Sequence, residues 1–393
     1  MTAVPTVAPG AAPRPAPQGW VIAAGIAIAA LLGLGVARGG SSRGSWLFAI
    51  GLGLGATLLA ADFGFAGAFR RAAVERDLGG LRAHLWTFSV AMIAIVPLVA
   101  LGTVLGSHVE GSAQRIGIAL VTGGALFGVG MQLAGGCASG TLYQLGGGTA
   151  KHVGTLAGFL SGSVLAATHL ERWWQLPSFP SLTLFTLGPW PVTLAVALGV
   201  MALAFRMVPG TLPRRIVIGG AMLALLNAAT VVASGHAWSE TWAFTLWGTQ
   251  LAARAGADPD SWRLFRDTTW STSPWAERTS IMDMAIPTGA LIAAGVLGRF
   301  RFTASPPRAW AAATVGGLAM GYGARLAGGC NIGAYFSAIA TGDLSGWVWA
   351  LAALGGSIVG VRARARIEGI AASPPPAATV LATEAPSTTP REP

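Results

Sequence analysis

The chain has 393 residues, of which 53% are hydrophobic and only 10% charged, with a mean hydropathy of +0.61 and a formal net charge of +10. Soluble chains carry roughly 25% charged residues, so the charges here are too few to cover a water-facing surface and lipid must cover it instead. The 56 glycines stand among long apolar runs, which excludes a collagen-like or disordered chain and points to closely packed membrane helices.

The basic residues fall in the short gaps between apolar runs rather than in a stripe with aromatics. The positive-inside rule accounts for that placement, and nucleic-acid binding does not. Two cysteines are too few for a disulfide framework. No histidine shows metal-ligand spacing, and no Walker motif or dinucleotide fingerprint in a strand context is present, so neither a metal nor a cofactor is expected.

In chain order, residues 1–18 are rich in proline and alanine and read as a disordered tail. An extra N-terminal span occupies 19–45; its apolar run, 20–37, lacks a basic n-region and a clear cleavage site, so it reads as a retained helix. Further spans are expected at 46–61, 85–106, 116–133, 152–168, 191–205, 216–234, 282–297, 309–326 and 347–361, which makes about ten crossings. Residues 363–393 read as a cytoplasmic tail, mostly disordered. On one side of this layout lie Arg70, Arg71, Arg76, Arg82, Lys151, Arg206, Arg214, Arg215, Arg299, Arg301, Arg308, Arg362, Arg364 and Arg366. The other side holds Arg38, Arg43, Arg115 and Arg172, and four arginines that share one long loop with acids. The asymmetry predicts both termini in the cytoplasm.

Four pieces beside these spans, 62–73, 138–147, 240–253 and 331–342, are too short or too glycine-rich to cross a bilayer. They read either as re-entrant half-helices, tolerated where they are buried in protein or line a wet cavity, or as interfacial turns. The glycine-rich stretches 51–55 and 158–162 read as helix-packing faces. The tryptophan-rich stretch 238–275 suits an interfacial belt, with some indoles as candidates to line a vestibule.

Residues 128–143 (GVGMQLAGGCASGTLY) align without a gap on 321–336 (GYGARLAGGCNIGAYF), sharing an unbroken Leu-Ala-Gly-Gly-Cys and placing the two cysteines in register. The flanks repeat as well. A first transport repeat runs over 46–169 and a second over 213–362, with a connecting span in 170–212. Corresponding helices are an odd number of crossings apart, so the two units have opposite orientation. The expectation is an all-α polytopic membrane protein of two inverted repeats with re-entrant half-helices, an architecture of transporters and channels whose site lies at the repeat interface.

In each repeat, two glycines end a long span and let the chain turn. Cys137 and Cys330 then begin short helices, where free backbone N–H groups and the positive end of the dipole favour an anion. Gly136, Ala138 and Ser139, with Gly329 and Asn331, complete the candidate binding positions; Thr141 and Ser337 could add donors. Five residues before each cysteine stands a polar residue, Gln132 or Arg325. An intramembrane arginine faces a partner or an aqueous path: Arg325 either attracts an anion, bridges carbonyls, or pairs with an acid such as Asp343. A lone membrane cysteine is most often a packing residue; two in symmetric register argue for function.

At these residues the sequence resembles the YeeE/YedE family of bacterial sulfur-compound transporters, through LAGGCASGTLYQLGGG at 133–148 and GYGARLAGGCNIGAYFSAIATGDLSGWVWA at 321–350. The resemblance implies import of thiosulfate through the cytoplasmic membrane, with Cys137 and Cys330 passing the ion by transient S–H hydrogen bonds and without large rocking. The family pattern places a further cysteine in the first short aromatic helix. Here that stretch is DFGFAGAFR, and Gly64 stands in its place. The cargo is therefore thiosulfate or a related small inorganic sulfur anion, with other sulfur and selenium species as the alternative. A membrane sulfurtransferase working through a cysteine persulfide is the second reading; it needs a base or field at the thiol, and no acid or histidine repeats with the two cysteines. The partners expected are the sulfur anion, the lipid bilayer and a cytoplasmic sulfur-carrier or sulfurtransferase protein.

Overall fold

The computed structural model describes residues 15–39 and 42–368. The long helices are α1 (Gly19–Arg38), α2 (Ser42–Ala61), α4 (Gly79–Leu101), α5 (Ile118–Ala134), α7 (His152–Ala167), α10 (Trp190–Met207), α11 (Arg214–Ser234), α13 (Arg278–Val296), α14 (Pro307–Leu326) and α16 (Ser345–Glu368). Short helices stand between them: α3 (Phe65–Arg70), α6 (Ala138–Gly146), α8 (Leu170–Trp174), α9 (Leu184–Leu187), α12 (Thr241–Arg254) and α15 (Ala338–Ala340). α3 runs on into a π-helical turn, Arg71–Glu75, and α15 is preceded by another, Asn331–Ser337. Two-residue strands pair in the loops, β1 (Thr103–Val104) with β2 (Ser107–His108) and β3 (Ile116–Gly117) with β4 (Ser178–Phe179), both antiparallel.

Each expected span coincides with one of the ten long helices. Among the described residues, eight helices are long and apolar enough to cross a membrane. The other two are α7, with 16 residues, and α14. These two pack on each other through glycine, with Gly158 against the Thr314 carbonyl and Gly317 against that of Thr155. Small residues that admit a neighbouring backbone replace the large apolar ones a lipid-facing helix would carry. α10 shows the opposite case: Val192, Val196 and Val200 repeat every fourth residue on one exposed face.

Packing interleaves the two halves of the sequence. α2 lies against α13, α4 against α11, α5 against α16, and α7 against α14. At the centre α5 and α14 cross antiparallel. A Cβ on Gly123 would stand 2.5 Å from the Gly323 carbonyl oxygen, and one on Gly316 2.6 Å from that of Gly130. An aromatic core fills the space beside this crossing, where Phe65, Phe69, Phe88, Tyr335 and Trp349 are buried around His84.

Some expectations need correction. The span at 85–106 ends at Leu101, because Gly102 takes a left-handed conformation (φ 67°) and the chain turns into the β1–β2 hairpin. α16 continues to Glu368, into the segment read as a tail; the rest of that tail, 369–393, and residues 1–14 lie outside the described residues. Trp238 is not part of an interfacial belt: it is fully buried, edge-on to Phe336.

Candidate functional site

All four short pieces form helices, and two of them start at a cysteine. α5 ends at Gly135, whose left-handed conformation (φ 78°) breaks the helix; the N–H groups of Gly135 and Gly136 both fold back on the Met131 carbonyl, at 3.1 Å. Cys137 is then extended and caps α6. Its Sγ lies 3.3 Å from Ser139 Oγ, and the backbone N–H groups of Gly140 and Ala66 point at it. Because Ala66 belongs to α3, the starts of two short helices meet at this thiol. Ala138 and Ser139 lie in the first turn of α6, where N–H groups have no intrahelical acceptor.

A cavity of about 190 Å³ adjoins Cys137, lined by Asp62, Gly64, Arg71, Gly135, Gly136, Tyr143 and Gln144 among others. Near one of its lining residues, Gly135, stand Lys151 and Arg364, with Lys151 Nζ 3.0 Å and Arg364 Nη1 2.8 Å from where a Gly135 Cβ would be. The space exists partly because the N-cap of α3 is Gly64 and carries no side chain. Its backbone is ordinary extended chain (φ −121°, ψ 112°), and a Cβ there would meet only the Tyr143 hydroxyl, at 3.6 Å.

On the other side, Gly328 (φ 73°) and Gly329 (φ 159°) turn the chain after α14, and Cys330 caps the π-helical stretch. Its Sγ accepts from the Ile332 N–H at 3.4 Å and donates to Glu240 Oε2 at 3.8 Å. Asn331 is fully buried; its Nδ2 reaches Met131 Sδ at 3.7 Å, and its Oδ1 has no partner among the described residues. The two thiols lie within electrostatic reach of each other, and Glu240 within reach of both.

The polar residues that precede the cysteines both tie their helices to short aromatic ones. Gln132 Nε2 donates to the Ala66 carbonyl of α3 at 3.1 Å and to Ser357 Oγ at 3.3 Å. Arg325 places its guanidinium over the Trp242 ring of α12, 5.4 Å from the centroid, and its Nε has no hydrogen-bond partner. Pairing of Arg325 with Asp343 is not what forms: the Asp343 carboxylate accepts from the backbone N–H groups of Gln114 and Ser345, both at 2.9 Å. Ser337 is also occupied elsewhere, donating to the Trp238 carbonyl at 2.6 Å. The buried Thr141 hydroxyl has no partner.

Sequence reading missed two acids. Glu240 is buried against the Cys330 thiol and Asp283 is buried in the field of Glu240, and neither lies in the duplicated motif. The signal available was an unpaired acid inside or beside an apolar span, which by itself marks a functional position.

A family model described as sulphur transport matches residues 60–359. The chain belongs to that family. Both cysteines, the four short helices and the two acids fall inside the matched region. The chain is 34% identical to a probable transporter, YedE, of Escherichia coli strain K12, over 131 residues, 33% of this chain and 32% of that protein. It therefore spans about a third of the length of that relative. It is 27% identical to the thiosulfate transporter TsuA of Spirochaeta thermophila, over 72% of this chain and 88% of that protein. With the thiosulfate transporter TsuA of E. coli strain K12 it shares 25% identity over 75% of this chain and 87% of the relative. The family's description and the names of these relatives are those of transporters rather than enzymes, although an acid does stand beside Cys330.

Proposed function

We propose that the chain imports thiosulfate, or a related small inorganic sulfur anion, across the bacterial cytoplasmic membrane through a constriction lined by Cys137 and Cys330. The observation that carries this reading is the placement of two free, buried thiols at the starts of short helices on either side of the α5–α14 crossing. Helix starts supply N–H groups and positive potential to an anion that has shed water. The thiols are soft, weak donors, able to hold a sulfur anion briefly without trapping it. Ala138, Ser139, Gly329 and Asn331 line the two turns, while Gln132 holds α3 in place and Arg325 biases the path toward anions. Gly136 serves through its lack of a side chain, since its N–H is already bonded to Met131.

In this reading the two halves are inverted repeats, ten helices cross the bilayer, and both termini lie in the cytoplasm. The antiparallel α5 and α14, and the matching pairs α2–α13 and α11–α4, support the inversion. The cavity at Cys137, lined by Arg71 and with Lys151 and Arg364 close to its Gly135 wall, becomes the inner vestibule. From there the ion would pass to a cytoplasmic sulfur-carrier or sulfurtransferase protein. The test is uptake of labelled thiosulfate by liposomes holding the purified chain, with sulfite, sulfate and selenium analogues as competitors. The reading expects uptake above protein-free liposomes, competed by unlabelled thiosulfate more strongly than by sulfate, which has no terminal sulfur. Uptake no greater than in empty liposomes would contradict it.

A further inference from the structure

The route past the thiols leaves two buried acids unexplained. Glu240 caps α12 with no capping hydrogen bond and is fully buried; Oε2 accepts from the Cys330 thiol, and Oε1 has no partner among the described residues. Asp283, inside α13, is 1% exposed, and among the described residues neither of its oxygens has a partner. Both Glu240 and Glu277 act on it electrostatically. Neither Glu240 nor Asp283 forms an ion pair among the described residues. Burying one ionised carboxylate without a partner is costly, and burying two in each other's field costs more. The pair therefore does not rest doubly ionised: at least one of the two acids carries a proton, while the Cys330 S–H is, among the described residues, the one donor to a Glu240 carboxylate.

The groups around the pair do not remove that need. Glu277, at the start of α13, spends both oxygens on Thr279 and Ser280. Arg278, which follows it, is in the field of Glu277 and Glu110. From α14 the facing cation is Arg325, held over Trp242, and from α6 and the π-helical turn the facing groups are the thiols of Cys137 and Cys330. α7 meets α12 through Phe159, Leu160 and Val164; its His152 is bound to Gln144 and Thr155. Arg38 of α1 and Arg43 of α2 are exposed.

We propose that Glu240 and Asp283 form a proton-binding site and that the chain moves its sulfur anion together with protons. This rests on the reading of Cys330 as an anion contact. An ionised Glu240 holds the Cys330 S–H and repels an incoming anion. A proton on Glu240 removes the negative charge and frees the S–H to turn to the anion. The anion therefore occupies this position only with the proton present, and both leave together on the inner side. Asp283 holds a second proton, so a dianion crosses with its charge balanced. A proton suits the site better than a metal cation, because hard cations need a cage of about six oxygens, whereas the free oxygens here are divided between two helices and one of Glu240's is already on a thiol.

The experiment uses liposomes holding the purified full chain, an internal pH dye and labelled thiosulfate. The wild type is expected to acidify the lumen as thiosulfate enters. An inward gradient of one pH unit, with sodium equal on both sides, should raise accumulation by about tenfold for each proton coupled. Glu240→Gln and Asp283→Asn should still exchange labelled for unlabelled thiosulfate while losing acidification and the gradient response. The wild-type proton flux is decisive even where a variant does not fold. Wild-type uptake without acidification, or driven by a sodium gradient alone, overturns the proposal and leaves thiosulfate transport standing. Acidification retained in both variants overturns the assignment to these acids. Neither uptake nor exchange by the folded wild type removes the transport reading and this proposal with it.

Discussion

At the scale of single residues, the site is defined as much by a missing side chain as by the thiols. Gly64 leaves open the cavity beside Cys137, yet its extended backbone and the 3.6 Å gap to the Tyr143 hydroxyl accept a Cβ without strain. Gly64→Cys should keep the wild-type thermal midpoint and at least wild-type thiosulfate uptake; a lowered midpoint would show that the position requires glycine. Gln132 does different work. Replacing it with leucine leaves the Ala66 carbonyl without its donor and loosens α3 beneath Cys137, at a cost of about 1–2 kcal/mol for hydrogen bonds in a membrane setting. The thermal midpoint of Gln132→Leu in detergent should fall accordingly, and an unchanged midpoint would contradict that role. The two cysteines were legible in the sequence because a duplicated Leu-Ala-Gly-Gly-Cys compares each with the other. Glu240 and Asp283 were not, since their contacts with the site run between helices far apart in the chain and each lies outside the duplicated motif.

At the scale of elements, hydropathy located the long helices, and short length or glycine content located α3, α6, α12 and the 331–342 piece, but not α8 or α9. Boundaries went astray where a local turn overrode the apolar pattern, as at Gly102, and where a helix continued past its apolar run into an arginine-rich stretch, as in α16. The identity of neighbouring helices was not legible: α2 on α13 and α7 on α14 join segments of different halves through glycine-to-carbonyl contacts. The α5–α14 crossing depends on such contacts. Gly123→Leu would drive a side chain into the Gly323 carbonyl and the Ala327 backbone. Overpacking of this kind costs about 1–3 kcal/mol, occasionally more. A loss of thermal midpoint larger than that of a lipid-facing change such as Val196→Leu is expected; equal midpoints would mean the helices part freely at this point. Asp343 anchors another junction, where it joins the 114 loop to the start of α16 through two backbone N–H groups. Outside the spans, burial pushes its carboxyl above the usual carboxylate range while those two N–H groups pull it back.

At the scale of the whole molecule, the proposed topology of ten crossings and the charge asymmetry of its loops imply one orientation. Ser271, exposed in the long loop after α12, should face outward, and Arg299, exposed after α13, should face inward. The native thiols are buried, so a membrane-impermeant maleimide should label Ser271→Cys in intact cells and Arg299→Cys only after permeabilisation. The reverse pattern would invert the molecule and turn the vestibule at Cys137 outward.

The central claim is that two thiols at helix starts carry a sulfur anion through the protein, and uptake of labelled thiosulfate by liposomes holding wild type, Cys137→Ala or Cys330→Ala tests it most directly. A hydrogen bond to a charged group contributes about 1.5–3 kcal/mol, so each variant, folded by its thermal midpoint, should lose uptake by about tenfold or more. Wild-type rates in both alanine variants would contradict the account, leaving the thiols as packing residues and placing the path elsewhere.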